Sequence, residues 1–322
     1  MKQKDIHRVR LPVPFFVNHV YVHLIENLDD SSLILIDCGP ATEDAFITLA
    51  SYVKSIGYAM EDIEACIVTH SHYEHYGLLE RIKQKCNVTI FAHPAMLNFA
   101  SIDFNEVLSS LHELLVANGM PIETVDNFLK LYRGIITETP MPLIDEVVND
   151  GEYVSTNPGK LRIIWTPGHA EDHICVYDEE TGIMFTGDHV ISGVTPQIGL
   201  TYIAQLENPL KIYQQSLQEL LNYNIELSFP GHNKTIENTH ERVLEILRHH
   251  KSREQWILEA LDDKKLTAFE IRSKVFGEKQ PAIGHHIISY TETIAHLKSL
   301  KVSDKVNELV KEGIHFYEKL SL

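Results

Sequence analysis

The sequence predicts an α/β protein, and three observations carry that prediction. Short apolar runs alternate with helix-spaced stretches up to residue 92. Similar runs return between residues 161 and 229, separated by turn residues. The chain of 322 residues has room for one large core or two, since single cores stop growing at roughly 250–300 residues.

Composition narrows the class. A chain 44% hydrophobic and 23% charged is ordinary globular material. The formal charge of −17, from 28 Lys and Arg against 45 Asp and Glu, opposes binding to phosphate backbones, so nucleic acid is a disfavoured partner. The basic start, residues 1–10, runs into Pro12 and Pro14 and lacks the apolar stretch of a secretory signal. No run approaches the roughly 18 apolar residues of a membrane span, so no membrane partner is expected. Cys38, Cys66, Cys86 and Cys175 show no C-x-x-C pairing and are expected as buried free thiols. A cytoplasmic location follows as an expectation.

In chain order, residues from about 15 to 38 read as strands, with an acidic turn at Asn27-Leu28-Asp29-Asp30. Thr42–Ile56 has helical spacing, with Phe46, Leu49, Val53 and Ile56 on one face and Gly57 as a stop. The strand Ala65–Val68 leads into Thr69-His70-Ser71-His72-Tyr73-Glu74-His75. A short helix is expected from Leu78 to Lys85 and a strand at Val88–Ala92. Residues 95–145 then change to helical apolar spacing, broken at Gly119-Met120-Pro121. This insertion reads either as a cap over an active-site mouth or as a structural or dimerising excursion. Strands resume at Leu161–Trp165, Ile174–Tyr177 and Ile183–Thr186, followed by a helix around Leu210–Leu221 and a strand at Ile225–Phe229.

Four of these strand-like runs end in metal-ligand residues: His70, His72, Glu74 and His75 after the first, then His169, Asp188 and His232. In an extended chain His-x-His puts both imidazoles on one side, and neutral imidazole is the commonest protein metal ligand. Glycines 168, 187 and 231 precede the last three ligands, where a Cβ would crowd a tight approach. Sheet proteins gather ligands where strands stop, which makes the set a candidate metal site.

These motifs, with Asp37 after an apolar strand, resemble those of the metallo-β-lactamase superfamily over roughly residues 15–240. The resemblance implies an αββα sandwich with metals at one edge. Residue by residue it implies His70, His72 and His169 on a first metal, Glu74, His75 and His232 on a second, and Asp188 between them. Asp37 and His173 would orient ligands by hydrogen bonds. Glu74 and Asp188 would be the catalytic carboxylates. Two divalent ions are implied, with zinc suiting the mixed imidazole and carboxylate donors and iron or manganese also compatible. One position departs from the family, which carries Asp where this chain has Glu74. The added methylene extends the carboxylate by roughly 1.3–1.5 Å. The expectation is therefore another rotamer, a displaced second metal or contact through water.

Thr239–Leu261 reads as one helix, Ile287–Leu300 as another, and Val306–Tyr317 as the close of a compact helical unit. The runs His249–Glu254, Leu266–Ile271 and Ala295–Leu297 resemble the small winged-helix-like extension of a hydroxyacylglutathione-hydrolase-like subgroup. The domains expected are 1–240, catalytic, and 241–322, winged-helix-like and mainly helical. Ile287–Leu300 carries Lys298 as its only formal positive charge, so packing or homodimerisation is favoured over a nucleic-acid role. Three functions follow. The first is metal-dependent hydrolysis of a small-molecule ester or thioester of the acyl-glutathione or acyl-CoA type, by hydroxide on the metals. The second is phosphodiester cleavage in single-stranded RNA. The third is a catalytically impaired metal-binding protein, because of Glu74.

Overall fold

The computed structural model describes residues 6–14, 17–27, 31–101, 103–138, 144–155, 159–198, 206–277 and 283–320. The first half runs β1 (Ile6–Pro12), β2 (His19–Glu26), β3 (Leu33–Ile36), α1 (Glu43–Ser55), β4 (Ile63–Ile67), α2 (Tyr73–Tyr76), α3 (Leu79–Lys83) and β5 (Thr89–Ala92). The insertion supplies α4 (Ala95–Ser101), α5 (Phe104–Ala117) and α6 (Ile122–Glu138) before β6 (Glu146–Val147). Then come β7 (Tyr153–Ser155), β8 (Lys160–Trp165), β9 (Ile174–Asp178), β10 (Ile183–Gly187), α7 (Pro209–Glu219) and β11 (Leu227–Pro230). The chain closes with α8 (Thr239–Ala260), β12 (Lys265–Leu266), α9 (Ala268–Phe276), α10 (Ile283–Val302), β13 (Val306–Lys311) and β14 (Ile314–Lys319).

Two sheets form the centre, one ordered β1-β2-β3-β4-β5-β6 and the other β11-β10-β9-β8-β7. Their facing sides meet in one buried cluster, with Ile34, Ile36 and Ile67 from the first against Ile163, Val176 and Phe185 from the second. On β3, Leu33 and Leu35 point the other way, into a core with Phe46, Leu49 and Val53 of α1. This strand is buried on both faces, which is why its apolar run is unbroken. The outer face of the second sheet joins Tyr213 and Leu217 of α7, Val243 and Ile246 of α8, Leu111 and Phe128 of the insertion, and Tyr290 of α10. The result is the predicted helix-sheet-sheet-helix order. Residues on both sides of position 240 share that last core.

Local chemistry accounts for the helix ends. Thr42 caps α1 through its Oγ1, which accepts the Ala45 amide at 3.2 Å. Asn208 caps α7, with Pro209 at its first position. All four cysteines are buried and free. No helix among the described residues is long and apolar enough to cross a membrane.

One expectation needs correction, and one strand lies outside those expected. The added strand is Ile6–Pro12, ahead of the strands expected from about residue 15, and it pairs antiparallel along β2 with Val9 and Leu11 buried. The closing Val306–Tyr317 stretch is not helical. It forms an antiparallel hairpin on which β12 adds a third strand. The reason is the turn Glu312-Gly313, where both residues take positive φ, 52° and 79°, the geometry that suits a two-residue hairpin. Of the acidic turn expected at 27–30, residues 28–30 lie outside the described residues.

Candidate metal centre

The candidate ligands sit where β4, β8, β10 and β11 end. Past β4 the chain is held on both sides: Asp37 Oδ1 accepts the Thr69 amide at 2.7 Å and the Thr69 carbonyl accepts the Ile174 amide at 2.8 Å. The single turn of α2 then turns Glu74 and His75 inward, both buried. The structure brings His70, His72, His169 and Asp188 into one group, and Glu74, His75 and His232 into another, each with ligand atoms within 4.8 Å of one another. Asp188 forms the seam. Its Oδ1 lies 3.6 Å from His75 Nε2, and its Oδ2 lies 3.3 Å from His232 Nε2 and 3.7 Å from His169 Nε2.

In four of these histidines the second nitrogen has an acceptor that sets its tautomer. His75 Nδ1 donates to Asp37 Oδ2 at 2.7 Å, His169 Nδ1 to the Gln197 carbonyl at 2.8 Å and His232 Nδ1 to the His19 carbonyl at 2.8 Å. The Thr69 hydroxyl donates to Asp37 Oδ2 at 2.9 Å, so it can only accept from His70 Nδ1, also at 2.9 Å. Each Nε2 is thereby left with a lone pair facing the centre. His70, His75 and His232 Nε2 and Asp188 Oδ1 are buried without a hydrogen-bond partner in the protein. Buried polar atoms are nearly always paired, so several orphaned acceptors aimed at one volume are what a cation would satisfy. His72 faces the same space through Nδ1, 2.9 Å from His169 Nε2.

Electrostatics differ between the two groups of histidines. Burial, with neighbouring imidazoles, holds His70 and His72 well below their ordinary range, in the neutral form that ligates. Burial alone would favour a neutral Asp188, yet His232 and His75 keep its carboxyl well below the usual carboxylate range. Burial also opposes charge on His75, but the Asp37 and Asp188 carboxylates outweigh it and raise that imidazole. Glu74 is pushed up by burial, against the pull of His75 and His232.

Asp37 and His173, both named from the sequence, lie against the ligand residues. His173 Nε2 accepts the Asp188 amide at 3.1 Å, so its Nδ1 donates to the Thr166 hydroxyl at 2.8 Å. Sequence reasoning missed Thr69 and the carbonyls of Gln197 and His19. A Thr before His-x-His is a signal that could have been noticed, whereas backbone oxygens leave none. Gly231 is required by contact, because a Cβ there would lie 2.8 Å from both Asp188 Oδ1 and His75 Cε1. From the insertion, Tyr132 stacks on Phe128 with centroids 5.6 Å apart, and burial together with the Glu74 carboxylate raises its hydroxyl. Lys234 is exposed two residues past His232, and Arg133 of the insertion donates to Asn105 Oδ1 at 3.0 Å.

Comparison with known proteins adds to this geometry. A family model for the Metallo-beta-lactamase superfamily matches residues 16–232. The chain is similar to the probable metallo-hydrolase YqjP of Bacillus subtilis, 27% identical over 314 residues and 95% of each chain. A shorter match, 31% identical over 118 residues, joins it to the atrochrysone carboxyl ACP thioesterase of Aspergillus fumigatus, covering 37% of this chain and 35% of that one. Among solved structures, a metallo-beta-lactamase family protein from Thermus thermophilus has a TM-score of 0.81 at 26% identity, over 98% of both chains.

Proposed function

The chain belongs to the metallo-beta-lactamase superfamily and is a hydrolase of that family, and from that premise we propose that it cleaves a small thioester or ester at a two-metal centre. His70, His72 and His169 hold one cation, Glu74, His75 and His232 the other, and Asp188 lies between them. The observation that carries this reading is the set of orphaned acceptors, three imidazole nitrogens and one carboxylate oxygen, buried around one volume. Divalent cations there supply Lewis acidity and activate water near neutral pH. The donor set suits zinc. Asp37 and His173 keep the ligands and the Asp188 backbone oriented, so that no reorganisation is needed when charge develops.

The thioester class is supported by the partial match to a carrier-protein thioesterase and by the net charge of −17, which disfavours RNA. Lys234, exposed two residues past His232, would be the cation that meets an acyl-glutathione or acyl-CoA anion. Residues 1–240 form the catalytic domain and 241–322 a winged-helix-like extension of the hydroxyacylglutathione-hydrolase-like kind. Four free cysteines suit a reducing, cytoplasmic setting. Glu74 favours a working site over an impaired one, because one of its oxygens lies within 4.8 Å of the His75 and His232 ligand atoms.

The test is metal content per chain together with hydrolysis of thioesters, lactones and phosphodiesters. About two metals per chain and thioester turnover that is lost on chelation and restored by zinc are expected. Turnover of phosphodiesters alone would sink the proposal. In the same assay Glu74→Asp is expected to change the rate modestly. A gain above about 100-fold, the scale of a 1 Å misplacement, would mean that Glu74 had disabled the native site. Gly231→Ala is expected to weaken metal binding by about 10- to 100-fold, as when ligand-orienting contacts are disturbed. Unchanged metal content after dialysis of that variant would remove the steric argument.

A further inference from the structure

Among the described residues past 240 none belongs to the two ligand groups of the centre, yet they reach the ligand loops, directly where Arg242 donates to the Ile191 carbonyl at 2.8 Å and indirectly through one side chain of α7. Tyr213 is fully buried. Its hydroxyl donates at 2.8 Å to the carbonyl of His189, the residue after Asp188. Its ring stands edge-on to the His189 imidazole, centroids 5.1 Å apart at 82°. The loop that carries His169 presses on the same residue. A Cβ built on Gly168 would lie 2.5 Å from Tyr213 Cβ and 2.6 Å from its Cα, and Gly168 has φ +142°. Only glycine permits that approach. Ser216, farther along α7, donates to the Pro167 carbonyl at 2.6 Å. One helix therefore grips the backbone just before His169 and just after Asp188.

Tyr213 is itself held from α8. Its ring meets the His250 imidazole at 87°, centroids 5.7 Å apart. His296 Nδ1 donates to the Glu292 carbonyl at 2.8 Å, so its Nε2 accepts, and His250 Nδ1 donates to it at 3.2 Å. The Arg253 guanidinium lies 2.9 Å from the Glu292 carboxylate. His250, Glu292 and His296 have ligand atoms close enough for a third cation site. The contacts argue otherwise, because the His296 lone pair is engaged by His250 and the Arg253 guanidinium already supplies the positive charge beside the carboxylate. The cluster is a brace.

We propose that Tyr213 is a positioning residue for the metal centre, clamping the His169 and Asp188 loops together, and that the His250–His296 pair holds Tyr213 in register. The proposal rests on His169 and Asp188 being metal ligands. It gives the C-terminal segment a role in setting ligand geometry from a distance.

The test uses the full chain, freed of metal and titrated with cobalt(II) chloride, with the visible ligand-field bands and the binding constant as readouts. Tyr213→Phe removes only the hydroxyl and is expected to weaken cobalt binding by about 10-fold or more, the usual loss when a group supporting the ligands goes, and to shift the bands. His250→Leu is expected to act in the same direction. The double variant should fall well short of the product of the two, since both act through one contact. If His250→Leu fails to fold, His296→Gln, which only loosens His250, replaces it. Wild-type affinity and bands in Tyr213→Phe would overturn the positioning role. Wild-type behaviour of the α8 or α10 variant, or fully multiplicative effects, would overturn the link to the C-terminal segment. A native chain that binds no cobalt would overturn the metal-site reading, and this inference with it.

Discussion

Asp188→Asn is expected to lower kcat/KM by about a thousandfold or more, because Lewis-acid stabilisation amounts to several kcal/mol and each decade of rate is about 1.36 kcal/mol. Among the described residues Asp188 is the carboxylate that faces ligands of both groups, 3.3–3.7 Å from His75, His169 and His232. An amide has the same shape but no charge. Its NH2 would point at imidazole nitrogens that the second-nitrogen bonds have already committed as acceptors, or at a cation. Metal per chain should fall in parallel. A variant that kept both full metal content and turnover would show that the bridging role is misassigned.

The largest expected effect on stability lies far from that centre. Arg253 and Glu292 form an ion pair with side chains only 9% and 8% exposed, and Arg253 also lies over the Phe276 ring at 4.0 Å. Removing one partner of a buried pair leaves the other charge stranded, at a cost of about 3–5 kcal/mol. Glu292→Gln is therefore expected to lower the urea midpoint by that equivalent. The joint change Arg253→Met with Glu292→Leu should recover most of it, because apolar side chains of similar volume avoid desolvating either charge. A single variant within about 1 kcal/mol of the native chain, the ceiling for solvated pairs, would show that water reaches the site.

The candidate centre is legible in the sequence because its ligands are local. His70, His72, Glu74 and His75 fall within six residues, and His169, Asp188 and His232 each follow a strand-like run. The sheets are legible for the same reason, through runs such as Leu33–Ile36 that are buried on both faces. What stays hidden is nonlocal. The Gln197 and His19 carbonyls orient His169 and His232 across 28 and 213 residues of sequence. Peptide oxygens look alike in any sequence. The strand Ile6–Pro12 is obscured by its charge, since Arg8 and Arg10 alternate with the buried Val9 and Leu11. The final hairpin reads as helix because Val306, Leu309 and Val310 also fit a helical stripe, and only the Glu312-Gly313 turn contradicts it.

The core on the outer face of the second sheet also bears on the order in which the chain can be completed. Tyr290 donates to the Leu115 carbonyl across 175 residues, and Tyr317 donates to Asn118 across 199. The apolar sides of α5 and α6 thus lack much of their native cover until Tyr290 and Tyr317 have left the ribosome. Contacts of such long sequence separation form slowly, and surface waiting for them is exposed to aggregation. Emergence of Tyr317 is then the event that completes the cover of the insertion.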